Sequence, residues 1–68
     1  MKVTVTRDVP ADAPGNYSGR DVRRNEEFYV FTAHTYGSCD TYNGIALSEQ
    51  GERTYPFFEF PRDALDLP

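Results

Sequence analysis

Sixty-eight residues carry one domain near the lower size limit for a self-sufficient hydrophobic core, and 38% hydrophobic with 15% aromatic residues marks a globular rather than a disordered chain. Seven Lys and Arg against eleven Asp and Glu give a net charge of −4, the wrong sign for gripping a phosphate backbone, so no direct nucleic-acid binding is expected. One cysteine, Cys39, leaves no internal disulfide; no apolar leader follows Met1 and no stretch approaches the roughly 20 apolar residues of a membrane span, so the expected setting is cytoplasmic with no membrane role.

Lys2 to Thr6 alternates polar and β-branched residues and predicts a first strand with Val3 and Val5 on its buried face. From Arg7 to Arg20, Pro10, Pro14, Gly15, Asn16, Ser18 and Gly19 predict one long loop without ladder hydrogen bonds. Within it Asn16-Tyr17-Ser18 matches a glycosylation sequon, read as chance without a secretory signal. Arg24-Asn25-Glu26 is a tight turn into the strand Glu27-Phe28-Tyr29-Val30-Phe31-Thr32-Ala33, whose even and odd positions are both apolar. That strand is expected to be central and covered on two sides. Tyr36 to Gly44 is turn-rich and ends on Asn43-Gly44, and Ile45-Ala46-Leu47 is a short strand. Ser48 to Glu52 is a hairpin loop. Arg53 to Phe60 is the next strand, placed at an edge or bulge by Pro56. Pro61 to Leu65 suits one helical or 3₁₀ turn, and Asp66-Leu67-Pro68 a very short last strand.

Five short strands and one helical turn predict a single all-β domain over 1–68, a five-stranded antiparallel sheet closed into a small barrel. The order of parts resembles the SH3-like barrel. The loop 7–21 stands for its long first loop, Asn25-Glu26-Glu27-Phe28 for its diverging turn, Ser48 to Glu52 for its distal hairpin, and Phe60 to Leu65 for its 3₁₀ turn. With no tryptophan and no Ala-Leu-Tyr-Asp-Tyr motif, the resemblance does not extend to proline-rich ligand recognition. The pattern Phe28-Tyr29-Val30-Phe31, His34-Thr35-Tyr36-Gly37, Gly44-Ile45-Ala46 and Pro56 to Pro61 is also similar to small bacterial or phage proteins, a likeness that names no activity.

His34, Cys39 and Asp40 are the residues from which a nucleophile and its base would have to be built. Their spacing matches no known signature and one turn-rich loop offers no rigid support, so the expectation is a non-enzyme. One His and one Cys fall short of a zinc site, and no metal or other cofactor is expected. Asp40, Glu49, Glu52, Glu59, Asp63 and Asp66 hold all of the second half's negative charge. They allow an alternative in which an acidic, phage-type inhibitor mimics nucleic acid to block a host protein. Glu59 is otherwise expected in an ion pair with Arg53 or Arg62, and Arg23 or Arg24 with a carboxylate of the second half.

Aromatic residues are the most informative feature, because ten rings exceed what one small core can bury. If Val3, Val5, Phe28, Val30, Ile45, Leu47, Phe58, Phe60 and Leu65 fill the interior, Tyr29, Phe31, Tyr55 and Phe57 fall on the opposite faces of their strands. With Tyr36 they form the expected binding face of an interaction module for a protein partner or a second copy of the chain. The competing arrangement has the loop 7–21 folding back over Tyr29 and Phe31.

Overall fold

The computed structural model describes residues 1–33 and 44–67, and within them β-branched and aromatic runs pair into one antiparallel sheet of order β1-β2-β3-β4. The strands are β1 (Lys2–Thr4), β2 (Glu27–Val30), β3 (Gly44–Ser48) and β4 (Phe58–Pro61), followed by a 3₁₀ turn at Arg62–Ala64. Cross-strand partners share a face, so the pairs Val3 with Phe28, Val30 with Leu47, Leu47 with Phe58 and Ile45 with Phe60 put one apolar surface on one side of the sheet. Phe28, Phe58 and Phe60 meet there edge-on or tilted, with centroids 5.3–6.2 Å apart. Every residue expected inside lies in that core: Val3, Val5, Phe28, Leu47, Phe60 and Leu65 are buried, and Val30, Ile45 and Phe58 pack against them partly covered.

The fifth strand is a single bridge. Leu65 pairs with Val5, Thr6 N–H donates to Ala64 O at 2.8 Å and Asp66 N–H to Thr4 O at 3.1 Å, so the C-terminal segment covers the outer edge of β1, while among the described residues the sheet counts four strands and is not closed. The strand expected from Arg53 begins only at Phe58. Residues 52–57 instead fold back toward β2 and β3: Thr32 N–H donates to Glu52 O at 2.7 Å and Ser48 Oγ to Thr54 O at 2.7 Å. Pro56, which follows a cis peptide bond, has no N–H to offer a ladder. Asn25 takes φ 79° in the turn before β2, a conformation that asparagine tolerates better than most residues.

The long loop departs most from expectation, for it carries its own hydrogen bonds and part of the core. Val9 and Val22 exchange two backbone bonds of 2.7 and 2.8 Å, and both side chains are buried in the main cluster. Between them Asn16, 7% exposed, ties the loop together. Its Nδ2 donates to Val9 O, Pro10 O and Arg20 O at 3.3, 2.9 and 3.2 Å, and its Oδ1 accepts from Ser18 N–H and Oγ at 2.9 and 2.7 Å. Gly15, at φ 87°, brings the loop against Pro61, where an added Cβ would sit 3.4 Å from the proline ring. Tyr17 N–H donates to Glu59 O at 3.0 Å, so the loop covers the outer edge of β4.

Candidate interaction surface

The sheet's second face starts from Tyr29 on β2, which the register sets opposite Ser48. Phe31, two residues on, donates its N–H to Ala46 O at 2.9 Å. Ala46 and Ser48 are small and fully covered, and their size leaves room above β3 for a ring and for the returning 52–57 segment. Phe57 stacks on Phe31 with centroids 4.5 Å apart and planes 9° from parallel, while Tyr55 meets Phe31 and Phe57 edge-on at 5.1 and 5.9 Å. Three of the five residues expected to bind therefore form one cluster.

Their roles divide by exposure. Phe31 is 4% exposed, which corrects its expected place on an open face: the rings of Tyr55 and Phe57 pack on it, and it supports them instead of offering itself. Tyr55 is 53% exposed and Phe57 partly so. Tyr29 is half-buried at the β1 side, with Lys2 Nζ 5.3 Å from its ring centroid. Tyr36, and with it His34, Cys39 and Asp40, lies outside the described residues.

Beside the cluster runs a groove of about 1080 Å³ between the long loop and β4. Phe57, Glu59 and Tyr17 line it with Arg7, Asp8 and Asp63, and Pro10, Pro14 and Pro61 add apolar lining. Tyr17, 69% exposed, is the most open large apolar side chain among the described residues. Tyr17 sits in a turn-rich stretch, outside the strand alternation that marks the other rings; its signal in the sequence is an aromatic flanked by turn formers, a loop positioned to present a side chain.

Charge placement also departs from expectation. Arg20, rather than Arg23 or Arg24, joins the two halves of the chain: it pairs with Glu26 at 2.9 Å and with Glu49 at 3.0 Å, and its guanidinium lies 5.8 Å from the Phe28 ring centroid. Arg23 and Arg24 contribute backbone amides instead, donated to Glu26 and Asp8 at 2.8 Å each. The hydrogen bonds from Arg20 and then from the Arg23 amide hold the Glu26 carboxyl below its ordinary value, and the same carboxylates raise Arg20 further. Of the acidic residues in the second half, Glu49 is thus engaged, Asp63 pairs with Arg7 at 3.3 Å, Asp66 accepts Thr4 N–H at 2.8 Å and Glu52 pairs with the Met1 amino group. Arg62 donates to Gly44 O at 3.1 Å, and among the described residues the Glu59 carboxylate makes no ion pair. Among them, too, no three His, Cys, Asp or Glu side chains converge as metal ligands, and no helix is long and apolar enough to cross a membrane.

Comparison with family models, with curated proteins and with solved structures gives no match, so the functional reading rests on this geometry alone.

Proposed function

We propose that this protein is a small non-enzymatic interaction module that engages a protein partner, or a second copy of itself, through the aromatic surface headed by Tyr55 and Phe57, with Tyr29 as a further contact. The observation that carries this reading is a tyrosine more than half exposed yet held by two other rings, one of them buried. A ring fixed in this way offers contact area at little further entropy cost, and its hydroxyl serves a polar rim. The SH3-like reading of the architecture belongs to the same proposal and is supported by the bridge from Val5 to Leu65, which brings the segment after the 3₁₀ turn alongside β1. The alternative of an acidic nucleic-acid mimic is less well supported, since Glu49, Glu52, Asp63 and Asp66 are spent on partners within the fold rather than left as a free array.

Sedimentation velocity from micromolar to millimolar concentration, on the natural sequence and on Tyr55→Ala, tests the self-recognition form of the proposal. Association should rise with concentration and weaken at least tenfold in Y55A, with the melting temperature nearly unchanged. A monomer throughout removes self-recognition. A photo-crosslinker at position 55 then reports whether a different protein is contacted at that face, and the absence of any crosslink there refutes the proposal.

A further inference from the structure

The groove between the long loop and β4 has a chemistry of its own. Among the described residues three acidic residues, Asp8, Glu59 and Asp63, line it against one basic residue, Arg7, a local charge of −2 on a chain whose net charge is −4. Arg7 and Asp63 satisfy each other, and Asp8 receives the Arg24 amide. Glu59 is the carboxylate left over. It is half-buried and lies on β4 between Phe57 and Pro61, and its own carbonyl is hydrogen-bonded to the residue that carries the most exposed ring, Tyr17. Among the described residues this carboxylate has no ion partner, and it lines the groove together with two aromatic residues, Tyr17 and Phe57.

We propose that the groove accepts an arginine side chain from a basic segment of another protein, with the guanidinium on Glu59 and its flat face and stem against Tyr17 and Phe57. Charge complementarity selects this occupant. A second copy of a −4 chain would bring more negative charge to a negative groove, whereas a basic segment neutralises it. Arginine fits better than lysine because its planar group pairs with a carboxylate in two parallel bonds and stacks on rings at the same time. The inference rests on the interaction-module reading and adds the partner's chemistry. It uses a separate contact from Tyr55, so the two stand or fall by different measurements.

The test is a ¹⁵N-edited NMR titration of the whole protein with an acetylated, amidated nine-residue peptide of glycine and serine with a central arginine pair. Its counterpart carries citrulline, of the same shape and without charge. The arginine peptide should shift the amides of Gly15, Tyr17 and Glu59 in a saturable way, and the citrulline peptide should not. Glu59→Gln should weaken binding at least tenfold, Tyr17→Leu should weaken it about as much, and Glu27→Gln, which removes the same charge beside Lys2 at the far side of the sheet, should change it less than twofold. Each variant's unshifted remaining amides verify its fold. Shifts scattered over the acidic surface, equal responses in E59Q and E27Q, equal binding of the citrulline peptide, or no shifts overturn the proposal. Loss of peptide binding with Tyr55-dependent association intact would fell the groove alone, and the reverse result would fell the aromatic face alone.

Discussion

Replacing Asn16 by alanine should unfasten the loop that frames the groove, although the residue lies in a stretch that reads as irregular. The side chain makes five hydrogen bonds, three as donor to the carbonyls of Val9, Pro10 and Arg20 and two as acceptor from Ser18, and it is almost wholly removed from water. A buried hydrogen bond contributes about 0.5–1.5 kcal/mol net. Two N–H groups share three carbonyls, so the set is worth roughly 2–4 kcal/mol, not the full sum. A chain of this length has a stability of roughly 3–10 kcal/mol, so N16A should leave a marginal domain, its midpoint lower by roughly 10–25 °C. The sharper case is N16D, which keeps the shape and both acceptors but turns three donor contacts into a carboxylate facing carbonyl oxygens. At neutral pH it should be at least as unstable as N16A. Its carboxyl would have a folded pKa raised above the ordinary value near 3.9, so the deficit should open as pH rises past about 4 and shrink below it, where a protonated carboxyl restores one donor. Urea unfolding at pH 3 and pH 7, with hydrogen exchange at Tyr17 and Val22, measures both effects. N16D as stable as the natural sequence at pH 7, or N16A costing less than about 0.5 kcal/mol, would refute the assignment of Asn16 as the loop's fastener.

Arg20→Ala removes two surface ion pairs at about 0.2–1 kcal/mol each and a ring contact of about 0.5–1 kcal/mol, for an expected loss of roughly 1–2 kcal/mol by thermal unfolding at low salt, less at high salt. Glu26 is held below its ordinary 4.5 in the folded state, so its contribution is present above pH 4.5 and is lost as pH falls through the lowered folded value. The acid limb of the stability curve should therefore flatten in part in R20A, where the Arg23 amide remains, and further in E26Q; identical acid limbs in all three proteins would contradict the pairing. Ala46→Leu places added volume where the Phe31 ring needs space above β3, and it should cost roughly 1–3 kcal/mol and reduce the near-ultraviolet circular dichroism of the Phe31, Tyr55 and Phe57 cluster. An unchanged spectrum would show that Phe31 does not rest over Ala46.

Local pattern was enough for the elements whose partners lie along one strand. Alternation in Lys2 to Thr6 and the doubly apolar run at Phe28 to Phe31 determined which residues turn to the core, because side-chain period follows from backbone geometry alone. Asn25 and the Pro61 start of the 3₁₀ turn were legible for the same reason, since turn chemistry is local. Tertiary structure decided the rest. Whether Phe31 faces water depends on residues 55 and 57 returning to it, and whether Val9 and Val22 are core or loop depends on a bridge between positions 13 residues apart. The choice of Arg20 over its neighbours depends on a carboxylate 29 residues away. Burial and ion pairing are properties of what lies across space, and chain closure over such separations carries no local signature for a sequence to display.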